Sequence, residues 1–346
     1  MKVMIRAPSW VGDAVMAVPA LREIRRIFDT SHITLLARQW VAGLFDGEEL
    51  ADDFIPVTDA RGLIGSVGGF FRDARRLRRE RFDYAVLLQN AFSAAVTARA
   101  AGARTIIGYP TDARRALLDQ VIAFEPDYKS KHQVSYYLNI ASQIEEKFAG
   151  ASRVDMTAEP RLHALDEGKK RARLLLARFG IEDERPIVAL NPGATNSRAK
   201  QWKAERFAGV ADLLAERDRF QTIIVGAVND REASDEVARE MRSPSAMLAG
   251  ETTIAELKAV LACSSLVISN DTGPAHVSAA LGVPTVVIFG PTEHFATRPL
   301  SSVASVVRHE VDCSPCMLRE CPIDHRCMTG VEVADVYRAA KKLLAC

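Results

Sequence analysis

Three short clusters carry residue types that can do chemistry. The first is Asn191-Pro192-Gly193-Ala194-Thr195 with Lys200-Gln201-Trp202 just behind it. Gly193 lets a backbone approach a ligand closely, Thr195 offers a hydroxyl, and Lys200 supplies a point charge for a phosphate. The second is Asn270-Asp271-Thr272-Gly273-Pro274-Ala275-His276. Asp271 and Thr272 are of the types that cap a helix, leaving its first N–H groups to face an anion. The third is Ser9-Trp10-Val11-Gly12-Asp13. Each has an ordinary reading too: a plain strand-to-helix loop for the first, and helix caps for Asp271 and Asp13. The packing of a glycine, a hydroxyl and a histidine into the second cluster favours a binding site over a bare cap.

All three clusters follow short apolar strands. Lys2–Ala7 reads as a strand ending in the Pro8–Asp13 turn, with a helical pattern behind it to about Phe28. Ile33–Ala37 and Tyr84–Leu88 are further strands, separated by an acidic stretch (Asp46, Glu48, Glu49, Asp52, Asp53) and a glycine-rich loop at Gly62–Gly69. A charged helix over Asp166–Phe179 stops at Gly180. Strands follow at Ile187–Asn191, Thr222–Val225, near Met247–Leu248, at Leu266–Ser269 and at Thr285–Phe289, the last of the set. Thr253 and Glu256 form a capping box for a helix running to Cys263. Apolar strands alternating with helices imply buried parallel sheets with right-handed crossovers. The expected fold is therefore α/β, with two Rossmann-like domains whose parallel sheets face a central cleft. Ligands in such sheets bind beyond the carboxyl ends of the strands, where all three clusters lie.

Composition narrows the function. With 45 Lys and Arg against 44 Asp and Glu, the chain lacks the basic excess of a general nucleic-acid binder. At 48% hydrophobic and 26% charged residues it has globular composition. No apolar run approaches a membrane span, and the opening residues have no apolar core of signal-peptide length, so a cytoplasmic location is expected. No G-x-G-x-x-G occurs, which removes the usual dehydrogenase fingerprint, and no G-x-x-x-x-G-K-S/T, which removes the P-loop. There is no D-x-D pair to hold a divalent metal on a diphosphate. A bound diphosphate would have to be neutralised by protein dipoles and Lys200.

Taken together, the clusters resemble those of the ADP-heptose:lipopolysaccharide heptosyltransferases of glycosyltransferase family 9. Ser9-Trp10-Val11-Gly12-Asp13-Ala14-Val15 with Pro19-Ala20-Leu21 is similar to that family's N-terminal signature. Asn191–Ala194 with Lys200–Trp202, and Ser269–His276, are similar to its donor-site motifs. Within the family the likeness is nearest to members that add the second inner-core heptose. The resemblance spans nearly the whole chain and implies a GT-B fold: residues 1–165 binding the acceptor and residues 166–346 binding ADP-heptose. It implies inverting transfer without a metal or other cofactor, from ADP-heptose to heptosyl-Kdo2-lipid A, at the cytoplasmic face of the inner membrane. Asp13 becomes the general base. Lys200 and the helix start at Thr272-Gly273 hold the diphosphate, with Gly193, Thr195, Asp271 and His276 beside it. Asp230 is assigned to the ribose hydroxyls, with Asn229 or Glu232 as alternatives at that spacing. Ser9, Trp10, Gly12, Arg114 and Arg115 are assigned to the acceptor.

Other readings keep the fold but change the step: the first heptosyltransferase, or another GT-B enzyme with a different nucleotide sugar. A non-catalytic nucleotide-binding module would leave Asp13 replaceable. Arg72, Arg75, Arg76, Arg78, Arg79 and Arg81 form a run whose default reading is a solvated helix face, and whose alternative is contact with anionic lipid; Lys129 and Lys131 are further basic candidates. Cys313, Cys316, Cys321 and Cys327 could surround a structural zinc. They could equally be reduced thiols bracing a loop, and no catalytic metal is expected.

Overall fold

The computed structural model describes residues 1–57, 65–194 and 197–345, with backbone alone for 65–68 and 71. The chain divides into two compact units, Met1–Pro160 and Arg161–Cys346, where a break at 165/166 was expected.

The first unit carries six strands: β1 (Lys2–Arg6), β2 (His32–Ala37), β3 (Asp53–Pro56), β4 (Tyr84–Leu87), β5 (Thr105–Gly108) and β6 (Gln120–Val121). All pair in parallel, in the order β3-β2-β1-β4-β5-β6. The second unit repeats the plan with β7 (Ile187–Asn191), β8 (Gln221–Ile224), β9 (Ser245–Met247), β10 (Leu266–Asn270), β11 (Thr285–Phe289) and β12 (Ala304–Arg308). Its order is β12-β11-β10-β7-β8-β9, again parallel. Both sheets are doubly wound. The strand order reverses between β1 and β4 in one sheet and between β7 and β10 in the other, and such switch points are where ligands bind.

The central strands read as continuous apolar runs because helices cover both of their faces. Every residue of β7, β10 and β11 is buried. In the second unit Val188, Leu190, Ile268 and Ile288 pack with Phe207, Val210 and Leu214 of the helix Ala204–Asp218. In the first unit Met4, Leu36 and Leu87 pack with Leu77, Ala95 and Ala98.

Several local expectations hold. Thr253 accepts the Glu256 N–H at 3.3 Å while the Glu256 carboxylate accepts the Thr253 N–H at 2.8 Å, the reciprocal pair of a capping box. The helix Asp166–Arg178 occupies the expected stretch. Others are corrected. The helix read as continuous to Phe28 is two helices, Val11–Met16 and Val18–Ile27, the second started by Pro19 in its first turn. Part of the glycine-rich stretch, from Gly65, is helix Gly65–Arg78, while residues 58–64 lie outside the described residues. β3 lies partly in the acidic stretch, and β12 continues the second sheet beyond Phe289. These are edge positions whose residues are less fully buried, so they lack the apolar run that marks a central strand.

Candidate functional site

In the second unit the site is built on the two strands flanking the switch point. Asn191 ends β7 and Asn270 ends β10, and both side chains are buried. Asn191 Nδ2 donates to Ser269 Oγ at 2.8 Å and to Thr272 Oγ1 at 2.6 Å. Asn270 Nδ2 donates to the Pro192 carbonyl at 2.7 Å, and its Oδ1 accepts the Trp202 N–H at 3.1 Å. Each asparagine thus locks the loop that follows the neighbouring strand. A buried amide must use its donors and acceptors, so these bonds fix both loops together.

That lock places Lys200 against Asp271. The ammonium donates to Asp271 Oδ2 at 2.8 Å and to the Asp271 carbonyl at 3.3 Å. Lys200 is partly exposed and Asp271 buried. Two of the three ammonium donors are therefore committed and one is left for an anion. Thr292, in the loop after β11, also donates to Asp271 Oδ2, at 2.7 Å. Asp271 does not cap the helix Gly273–Ala280; its carboxylate holds the lysine. Nor does Thr272 cap it by its side chain, although it occupies the N-cap position, since its hydroxyl takes the Asn191 amide. Gly273 is the first residue of that helix and His276 is buried within it.

Gly193 is required by a neighbour of its own chain. A Cβ there would lie 2.2 Å from Asp230 Cγ. The Asp230 carboxylate is pressed against the loop after β7 while accepting the Ala227 N–H at 2.9 Å. This sets Asp230 against Gly193 in the loop after β7, whereas Asn229 and Glu232 are exposed. Thr195 lies outside the described residues.

In the first unit the loop after β1 leads into Val11–Met16, with Asp13 as the third helical residue and Trp10 as the N-cap. Asp13 is therefore inside the first turn and is not the cap. Its carboxylate takes a hydrogen bond from the Tyr137 hydroxyl, on the helix Gln133–Ala149. Burial first, then the Asp13 charge, hold the Tyr137 phenol well above its ordinary pKa, so it remains a donor. Ser9 is held by Arg38 Nε on its hydroxyl at 3.1 Å and by Trp40 Nε1 on its carbonyl at 3.0 Å. Trp10 is exposed and Gly12 partly so.

Arg114 corrects an expectation. It is wholly buried, with Nε on the Tyr109 carbonyl at 2.8 Å, Nη2 on Asn90 Oδ1 at 3.0 Å, and Nη1 on the Gln89 carbonyl. Its guanidinium ties the ends of β4 and β5 together, with donors spent on these internal oxygens. Arg115 is exposed.

The cysteine segment packs against the loops that carry Lys200 and Thr292. The Cys316 and Met317 N–H groups donate to the Pro291 carbonyl at 3.0 and 2.8 Å, and the Ala199 N–H donates to the Arg319 carbonyl at 3.0 Å. His325 Nε2 lies 2.6 Å from the Ala199 carbonyl. Cys327 is buried, and the neighbouring Cys313, Cys316 and Cys321 add to the burial that raises its pKa. Among the described residues no group of three or more His, Cys, Asp or Glu is arranged to hold a metal ion.

Sequence reasoning missed Thr292 and Tyr137. Thr292 follows a recognised strand, so its topological place was a usable signal; Tyr137 offers none, being an aromatic on a distant helix.

Comparison with known proteins gives consistent matches. Residues 70–326 match the model of glycosyltransferase family 9 (heptosyltransferase). The chain is 30% identical to lipooligosaccharide heptosyltransferase 2 of Campylobacter jejuni, covering 99% of this chain and 98% of that one. It is 28% identical to lipopolysaccharide heptosyltransferase 2 of Salmonella typhimurium, covering 89% and 88%. Among solved structures, Escherichia coli ADP-heptose lipopolysaccharide heptosyltransferase II superposes with a TM-score of 0.84 at 25% identity, covering 100% and 99%.

Proposed function

Given that the chain belongs to glycosyltransferase family 9, the heptosyltransferases, we propose that it moves L-glycero-D-manno-heptose from ADP-heptose to the first heptose of heptosyl-Kdo2-lipid A. It is a GT-B glycosyltransferase, and heptose transfer to the lipopolysaccharide inner core is its reaction. The observation that carries the donor side is the Lys200–Asp271–Thr292 cluster at the switch point of the second sheet.

Inverting transfer needs the acceptor hydroxyl to attack the face opposite the departing ADP. We assign proton removal from that hydroxyl to Asp13, whose carboxylate is steadied by Tyr137. Leaving-group charge grows on the diphosphate. The remaining Lys200 donor and the first N–H groups of Gly273–Ala280 are the groups assigned to meet it. Asp271 sets the lysine's position, and Asp230 beside Gly193 is assigned to the ribose. Ser9, Trp10, Gly12 and Arg115 are assigned to the acceptor.

The proposal includes peripheral contact with the cytoplasmic face of the inner membrane. On the helix Gly65–Arg78, Ala74 and Leu77 are buried while Arg72, Arg75, Arg76 and Arg78 are exposed, as are Arg79 and Arg81 beyond its end. A one-sided basic face of this kind attracts anionic lipid. Among the described residues no helix is long and apolar enough to cross a membrane.

The deciding assay is ADP release from ADP-heptose, run with heptosyl-Kdo2-lipid A, with Kdo2-lipid A, and with neither. Release that depends on the heptosylated acceptor is expected. Release that prefers the acceptor lacking heptose would assign the preceding step, and equal release in all three would end the proposal.

A further inference from the structure

The first sheet has a buried charge that its own residues leave uncompensated. Arg6 is the last residue of β1, at the carboxyl edge and at the switch point, and is only 6% exposed. Its guanidinium makes one hydrogen bond, from Nη1 to the Leu36 carbonyl at 3.2 Å. Among the described residues no carboxylate pairs with it. The charge that acts on it is another cation, Arg38, also buried, just beyond the end of β2. Burial and that like charge lower the Arg6 pKa to about 10, still charged at neutral pH.

Arg114, one strand further along, shows what a self-sufficient buried arginine looks like. Its donors are taken by two carbonyls and an amide oxygen. Arg6 has five donors and one acceptor for them. A guanidinium this deeply buried with no counter-charge destabilises the ligand-free fold, and an anion binding beside it would relieve that cost. The neighbouring strand end adds a second signal. The Gln89 N–H donates to the Arg6 carbonyl at 3.2 Å, which sets the two residues side by side, and the Gln89 Oε1 is buried with no partner. The pair calls for a ligand carrying an oxyanion next to a hydroxyl.

We propose that Arg6, with Arg38 beside it and Gln89 on the adjacent strand, forms an oxyanion subsite at the switch point of the first sheet, which takes a carboxylate or phosphate of the acceptor. The link to the acceptor rests on the assignment of the first unit to acceptor binding. The subsite itself rests on Arg6. It lies at the end of the strand that feeds the Ser9–Asp13 loop, and Arg38 also grips the Ser9 hydroxyl, so an anion held here would bear on the loop that carries Asp13.

Arg6→Met tests this, because it keeps the apolar stem and removes the charge. The ligand-free variant should melt at or above the wild-type temperature, since a buried uncompensated charge is gone. With ADP saturating the donor site, inorganic phosphate or acetate should raise the melting temperature of the wild type and not of the variant. The acceptor KM should rise about 10- to 100-fold, the range for lost hydrogen bonds to a charged group, with ADP affinity unchanged. Repeating the KM comparison with dephosphorylated acceptor identifies the group bound: a gap that persists assigns the carboxylate, and one that closes assigns the phosphate. A variant that melts several degrees lower and loses acceptor and ADP binding together would make Arg6 a structural strut. Equal anion responses in the two proteins would also overturn the subsite. The anion titration uses no acceptor, so it judges the subsite even if the transfer assay fails.

Discussion

Asp13→Asn separates a general base from a helix residue. Asparagine keeps the shape and one accepting oxygen, so the buried Tyr137 hydroxyl retains its partner. Alanine would strand that hydroxyl at about 1–3 kcal/mol, confusing stability with chemistry. The structural cost of asparagine is small. Asp13 sits in the first turn of a six-residue helix and is partly exposed. Loss of its charge there is worth about 0.3–1 kcal/mol, or about 2–4 °C at most for a unit of this size. Losing a general base instead costs about 10²–10⁴-fold in rate, which is about 2.7–5.4 kcal/mol of barrier. The two effects differ enough to be told apart. The measurements are kcat for acceptor-dependent ADP release, ADP affinity by calorimetry, and the melting temperature. The expected result is a kcat lower by two orders of magnitude or more with the other two nearly unchanged. Tyr137→Phe adds a check: without that donor the Asp13 carboxylate is less stabilised, so the acid limb of the kcat/KM profile should move to higher pH. An asparagine variant within about threefold of wild-type kcat would refute the assignment, as would a phenylalanine variant with an unmoved profile.

Gly193→Ala should weaken ADP binding by about ten- to a hundred-fold, because its Cβ must displace the Asp230 carboxylate and break its bond to the Ala227 N–H; unchanged calorimetric affinity would remove Asp230 from the donor site. Glu145 is held down to about 2 from 4.5 by its hydrogen bond from Arg26. A depressed carboxylate stabilises the fold above its unfolded pKa, and this contribution is lost as pH falls from 4.5 towards 2. Glu145→Gln should therefore melt below the wild type at pH 7, with the gap closing below pH about 4; a gap independent of pH would mean the ion pair is idle. Neutralising Arg75, Arg76, Arg78 and Arg79 should weaken binding to anionic vesicles, and salt should weaken wild-type binding likewise; sedimentation indifferent to ionic strength would leave these residues a solvated face. Elemental analysis after purification without added metal should find no metal whose removal stops turnover while the fold persists.

What the sequence determines here is local. Buried parallel strands such as Ile187–Asn191 and Leu266–Asn270 announce themselves as apolar runs, since helices cover both faces. The Thr253–Glu256 capping box is legible because its partners are three residues apart. The loops after β7 and β10 are legible as candidate sites because glycines, hydroxyls and charges gather there at the ends of parallel strands. Edge strands β3, β6 and β12 are not legible in this way; they are short or half-buried, so no long apolar run marks them.

Partnerships across the sheet were decided only by the tertiary structure. Asp271 reads as a helix cap from its neighbours, yet strand order brings Lys200 and Thr292 to its carboxylate. Asp13 acquires Tyr137 from a helix far down the chain. Arg6 and Arg114 are the sharpest contrast. Both are arginines near strand ends in the same sheet, but packing surrounds Arg114 with carbonyls and leaves Arg6 with one. A residue's type sets which bonds it can form. Its burial and its partners depend on which strands lie side by side, and no local spacing encodes that order.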